Sequence, residues 1–260
     1  MAPKVFRVAG APRSWQQRAM AAALWVGENG AVSGATAAAL HRLDGFGPPV
    51  AIEVLTTRVL RSRPSLNVHH TPFWLDVDRA IVAGIPTTSA ERTLIELARS
   101  TTEERMEIAI EDALRRRLTT PDAVVRRLAD LPANQAGGAR LTRVLELRGA
   151  AAPTDSALEV KVIRLLREQG YPPPIRQKVL DDNGRFVGRV DLVFPEQRLI
   201  IEVDSFRFHT GRRPWDRDRE RRNALTALGW LVIHATSQMV SGDARSAFLR
   251  DVARAYQRPL

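Results

Sequence analysis

The stretch that most constrains this chain runs from Gly188 to His209, GRVDLVFPEQRLIIEVDSFRFH. Two apolar runs flank Pro195-Glu196-Gln197-Arg198, so the spacing predicts two strands joined by a tight turn. Strand side chains alternate between faces. Val190, Leu192 and Phe194 then share one face, and Arg189, Asp191 and Val193 the other. On the second strand Ile200, Glu202 and Asp204 lie opposite to Leu199, Ile201 and Val203. With the turn centred on Glu196-Gln197, Asp191 pairs with Glu202, and Asp204 follows one step on. Opposed side chains sit roughly 5 Å apart at Cβ, so three carboxylates gather on one patch of an apolar hairpin.

Such a patch is costly. Like charges across a ladder destabilise a sheet, and a half-buried carboxylate loses hydration. A bound cation or a shared proton offsets that cost. Mg²⁺ takes oxygen ligands, commonly one or two carboxylates with water and substrate phosphate. From the residues alone two readings stay open: a metal site, or a solvated face that keeps a sheet edge soluble.

The chain has 260 residues, enough for two domains of ordinary size. No apolar run approaches the roughly 18 residues of a membrane span, and the first residues, MAPKVFRVAGAPRSWQQ, lack an apolar run of signal-peptide length. There is no cysteine, hence no disulfide and no thiolate metal site. The expectation is a cytoplasmic protein with no membrane partner. Lys and Arg exceed Asp and Glu by 39 − 29, a net charge of +10. A basic, arginine-rich chain favours polyanions, DNA above all. The plain alternative is an arginine-rich composition with no nucleic acid involved.

In chain order, residues 14–26 have helical spacing, and Gly27-Glu28-Asn29-Gly30 signals a turn. Ser33 then suits the N-cap of a short helix from Ala35 to Leu43. Helix, turn and short helix outline a helix-turn-helix, whose second helix offers Thr36, His41 and Arg42 to DNA. Its alanine-rich body equally suits packing. Strands are expected over Ala51–Thr57 and Leu66–Thr71, around a loop carrying Arg58, Arg61 and Arg63. That loop reads as a wing touching phosphate, or as a solvated hairpin tip.

Ser89 caps a further helix, and helices are expected at 102–117, 120–131 and 138–148. The small residues Gly149 to Pro153 mark a domain boundary. Expected divisions are thus 1–100, a helical connector at 101–152, and 153–260. A helix from about Asp155 to Gln169 carries Glu159, which suits either the acid site or a capping box with Ser156. Ile175 to Leu180 reads as a strand with Gln177 and Lys178 exposed, followed by an Asn183-Gly184 turn. Arg212, Arg213, Arg217 and Arg221 in RRPWDRDRERR form a mixed-charge helix face that abuts the acid patch and could receive phosphate. The strand from Trp230 to His234 follows that helix and is expected parallel to the hairpin's second strand.

The pattern Asp191, turn, Ile201-Glu202-Val203-Asp204, then His209, resembles the PD-(D/E)xK nuclease superfamily, and more closely its very-short-patch-repair-like endonuclease domains. The resemblance continues through Asp218, Arg221, Asn223, Leu225 and Gly229-Trp230-Leu231-Val232, over about residues 153 to 258. It implies a restriction-endonuclease-like three-layer α/β fold with a mixed sheet. It also implies Mg²⁺ or Mn²⁺ on Asp191, Glu202 and Asp204, Glu159 completing the site, and His209 as general acid or base. The superfamily's lysine falls at Asp204, so the usual partner of the attacking water is replaced. In the N-terminal part, SGATAAALHRLDGF and GIPTTSAERTLIELA resemble the AbiEi-type antitoxin family, which pairs a winged helix with a second domain. The two resemblances imply an α+β chain that is a metal-dependent DNA endonuclease, or a non-catalytic DNA-binding regulator with a cognate toxin.

Overall fold

The computed structural model describes residues 5–6, 10, 13–132, 135–149, 154–182, 185–204 and 214–258; at 185 and 214–220 it describes the backbone alone. The chain divides into two compact units, Met1–Gly149 and Ala150–Leu260. The boundary falls where the small residues predict it. The helices expected as a connector belong instead to the first unit, because their apolar faces have their partners there.

The first unit opens with α1 (Trp15–Val26), capped by Ser14, whose hydroxyl accepts from the Gln17 N–H at 3.1 Å. A 3₁₀ turn leads into β1 (Gly30–Val32), then α2 (Gly34–Leu40), β2 (Ile52–Thr56), β3 (Leu66–His70), β4 (Arg79–Val82) and β5 (Ile85–Thr88). The five-stranded sheet runs β3-β2-β1-β5-β4. Neither β1 nor β5 is anticipated in the sequence: β1 has three residues and β5 four, one of them proline. Gly30 is required in β1, since a Cβ there would fall 2.0 Å from the Leu55 carbonyl oxygen. Ala83 and Gly84, both at positive φ, make the two-residue turn between β4 and β5.

Strands β2 and β3 pair in parallel, Ile52 with Leu66 through Thr56 with His70. Residues 57–65 therefore cross from the end of one strand to the start of the next. The hairpin tip expected there is not formed.

Helices α3 (Ala90–Leu97), α4 (Glu103–Arg115), α5 (Pro121–Ala129) and α6 (Gly138–Arg148) complete the unit. Two cores result. One joins α1 to the sheet through Ala19, Ala23, Val26, Val32 and Val54; the other joins the late helices through Leu94, Met106, Ile110 and Leu141. Helix α2 lies between them, giving Ala37 and Leu40 to the first and Ala38 to the second. Its alanine-rich sequence follows from being enclosed on both sides.

A charged group is buried in this unit. Asp78 and Arg92 are fully buried. Arg127 grips Asp78 with two bonds, at 2.7 and 2.8 Å. Arg92 meets Glu96 at 3.0 Å, the Phe73 carbonyl at 3.0 Å and Thr71 at 3.2 Å. The Asp78 carboxylate holds the Arg127 pKa above its usual value.

The second unit opens with α7 (Ala157–Glu168), followed by β6 (Ile175–Asp182), β7 (Arg185–Phe194), β8 (Leu199–Val203), α8 (Pro214–Ala227), β9 (Leu231–Ala235), α9 (Ser237–Ser241) and α10 (Arg245–Tyr256). The four-stranded sheet is mixed: β6, β7 and β8 are antiparallel, and β9 is parallel to β8 after the α8 crossover. One sheet face packs Leu192, Phe194, Leu199 and Ile201 on Val162, Leu166, Phe248 and Val252 of α7 and α10. The other packs Val190, Val193 and Ile200 on Leu225 of α8. The class is α+β, and this unit has the three layers and mixed sheet expected of it.

Candidate active site

The hairpin closes through a 3₁₀ turn at Pro195–Gln197, with Arg198 left-handed at φ 47°. Backbone pairing runs from Phe194–Leu199 to Leu192–Ile201. The next opposed positions on that register are Asp191 and Glu202, and there the side chain replaces the ladder. Asp191 Oδ2 accepts the Val203 N–H at 2.8 Å. Asp191 thus closes the mouth of the hairpin with its carboxylate.

Strict alternation fails at the same point. Val190 and Val193, three apart, lie in one core cluster, while Leu192 lies in the other. Across the sheet, Gln177 stands between the Arg176–Leu192 and Lys178–Val190 pairs with φ 51°, a left-handed strand residue that is not glycine. Strand irregularities re-aim side chains. Here the Gln177 Nε2 donates to Glu159 Oε2 at 2.9 Å and to Asp191 Oδ1 at 3.3 Å. Among the described residues its Oε1 has no partner. Gln177 was expected on a solvated face; its left-handed backbone, which no sequence pattern announces, turns it inward.

Glu159 serves the helix and the acid patch together. Ser156 Oγ accepts the Glu159 N–H at 3.2 Å, and Glu159 Oε2 accepts the Asp155 N–H at 3.1 Å. The capping box therefore forms one residue out of register, and the same oxygen also receives Gln177. Burial, with Asp191 beside it, pushes the Glu159 carboxyl up to about 7.

Glu202, at the end of β8, is also pushed up to about 7 by burial, with Asp191 adding to the rise. Arg221 of α8 works against that rise. Its Nη2 donates to Glu202 Oε1 and, at 2.7 Å, to the Arg189 carbonyl. Burial and the neighbouring acid outweigh one guanidinium.

Asp204 does not join the patch. It lies past the last residue of β8, and its Oδ2 meets His234 Nδ1 at 3.1 Å. His234 stands beside Glu202 in the parallel register of β8 and β9. The three-carboxylate set Asp191, Glu202 and Asp204 is thus not assembled. What gathers is Glu159, Asp191 and Glu202 around Gln177 and Arg221. Among the described residues, no three acidic or histidine side chains are arranged to hold a metal ion. The pair Asp191 and Glu202 remains a donor set of the kind Mg²⁺ and Mn²⁺ use with water and phosphate. His209, Arg212 and Arg213 lie outside the described residues, and Arg217 is described by its helical backbone alone.

The residues read as DNA contacts in the first unit are differently placed. Thr36 is fully buried and accepts the Glu53 N–H at 2.9 Å. His41 bonds the Thr88 carbonyl at 2.8 Å, and burial lowers its pKa. Arg58 donates to the Trp25 carbonyl at 3.1 Å, and Arg63 stacks over the Trp25 ring at 5.8 Å. Enclosure of α2 between two cores accounts for the corrections at Thr36 and His41. Arg42, Arg58, Arg61 and Arg63 are all exposed.

The molecule is a two-unit α+β protein whose second, three-layer unit carries a carboxylate patch at the end of its central hairpin. Two curated relatives, uncharacterized proteins of Mycobacterium tuberculosis from strains CDC 1551 / Oshkosh and ATCC 25618 / H37Rv, are each 29% identical over 200 residues. The alignment covers 76% of this chain and 71% of theirs. It is longer than either unit and so reaches into both. No family model matches the chain, and no solved structure matches it.

Proposed function

We propose that the second unit is a metal-dependent DNA endonuclease site that hydrolyses phosphodiester bonds. The observation that carries this reading is the meeting of Asp191 and Glu202 at the open end of β7 and β8, with Glu159 behind them. Two of these carboxyls, Glu159 and Glu202, sit at about 7, far above the usual carboxylate range. Mg²⁺ or Mn²⁺, when bound, supplies Lewis acidity toward a phosphate and lowers the pKa of a bound water.

The chain's own residues do the rest. Val203 N–H and Gln177 fix Asp191 in one rotamer. Gln177 holds Glu159 at the rear of the patch. Arg221, with Arg212, Arg213 and Arg217 on the same segment, receives phosphate, and His209 carries the proton. The net charge of +10 draws DNA to the chain. In the first unit, exposed Arg42, Arg58, Arg61 and Arg63 are the DNA contacts this reading retains. Among the described residues no helix is long and apolar enough to cross a membrane, which is compatible with action on DNA in the cytoplasm.

A second reading has its own observation. Asp204 stands at the superfamily's lysine position and is engaged with His234. In that reading the fold is a non-catalytic DNA-binding regulator, with a cognate toxin as a further partner. Supercoiled plasmid with Mg²⁺ or Mn²⁺ separates the two. Wild type nicks it and Asp191→Ala loses about a hundredfold or more of that rate. A DNA shift without nicking, unchanged in Asp191→Ala, establishes the regulator instead.

A further inference from the structure

We infer that Arg221 is a built-in counter-ion of the carboxylate patch, a guanidinium that occupies Glu202 until a divalent cation displaces it. The inference rests on the metal-dependent reading above and adds a competitor to it.

Three features carry it. The first is the route. Arg221 reaches Glu202 by passing over Gly188, where a Cβ would fall 2.5 Å from Arg221 Nε and 3.0 Å from its Cδ. Glycine at that strand position leaves room for the side chain. The second is the quality of the pair. Arg127 grips Asp78 with two nitrogens, the two-pronged geometry that makes arginine pairs strong. Arg221 instead uses one nitrogen for both Glu202 and the Arg189 carbonyl. A one-pronged contact shared with a carbonyl holds an arginine less firmly than a two-pronged one, so Arg221 is the more readily displaced of the two.

The third is the charge balance. Among the described residues one guanidinium faces three carboxyls, Glu159, Asp191 and Glu202, and Gln177 Oε1 beside them is a buried oxygen without a partner. A hydrated divalent cation brings twice the charge and donors for unmet oxygens. Exchange of Arg221 for such a cation frees the guanidinium to meet its other donors in water. Metal affinity is then set by the guanidinium as well as by the ligands.

The test is Mn²⁺ binding to the full chain, followed by the electron paramagnetic resonance signal of free Mn²⁺. Arg221→Gln removes the competitor. Gly188→Ala displaces it while the charge of the chain stays the same. Both variants are expected to bind Mn²⁺ about tenfold more tightly than wild type. Arg222→Gln, an equal loss of charge one residue away, changes binding little, and Asp191→Ala abolishes it. Binding that is unchanged or weaker in Arg221→Gln and Gly188→Ala, with wild-type binding still dependent on Asp191, overturns the counter-ion role and leaves the metal-dependent reading standing. An equal gain in Arg222→Gln overturns it as well, as a bulk charge effect. Absence of Mn²⁺ binding in every form overturns both.

Discussion

Each unit holds a cluster of buried charge, and the two are built to different ends. In the first unit Asp78, Glu96 and Asp130 face Arg92, Arg99 and Arg127, three acids against three bases. Asp78 also accepts the Leu75 N–H, and Arg92 reaches the Phe73 carbonyl and Thr71. The cluster ties the loop before β4 to α3 and α5. Among the described residues of the second unit, three carboxyls, Glu159, Asp191 and Glu202, share one guanidinium. Balanced charge fixes a fold. Unbalanced charge is stable only with something more, and it is the arrangement that a ligand can complete.

This contrast can be broken by measurement. The largest effect on stability is expected in the first cluster. Asp78→Ala leaves buried Arg127 without its two-bond acid and Arg92 with Glu96 alone, which costs about 3–5 kcal/mol. Glu202→Gln leaves only Arg221, which is partly exposed, and costs under about 1 kcal/mol. Urea unfolding of both variants reads the difference, and equal losses would end the distinction between the clusters.

The next effect is in the pH dependence of stability. Glu159 and Glu202 stand at about 7 when folded, against 4.5 for the ordinary group. Between those values the unfolded chain has released the proton and the folded chain has kept it. Stability therefore falls as pH rises from 4.5 to 7 and levels off above that. For Glu159 the fall is roughly 3 kcal/mol. Glu159→Gln should flatten that part of the curve between pH 5 and pH 8. A curve as steep as wild type would mean that Glu159 ionises normally.

The smallest effect concerns the first unit. Thr36→Val removes a buried hydroxyl that serves the Glu53 N–H, so it costs about 1 kcal/mol. DNA shift by the variant should match wild type once folded fractions are equal. A lost shift with unchanged stability would return α2 to the role of a recognition helix.

Legibility in the sequence followed the range of the forces involved. The helices from α3 to α7 announce themselves by apolar spacing and caps at Ser89, Thr102, Thr120 and Ser156. The β7–β8 hairpin follows from period-two alternation around Pro195. Strands β1 and β5 escape notice because three or four residues hold no period. The parallel pairing of β2 and β3 is also invisible, since strand direction is fixed by what the neighbouring strands and α1 leave free.

The site divides along the same line. The opposition of Asp191 and Glu202 is a matter of counting from a turn, so the sequence by itself determined it, along with the basic charge and the two-part organisation. The inward turn of Gln177, the departure of Asp204 toward His234 and the passage of Arg221 over Gly188 were decided by tertiary structure alone. Each depends on a left-handed backbone angle, a strand end or a missing Cβ meeting a residue far along the chain. Such contacts carry no period, and only packing selects among them.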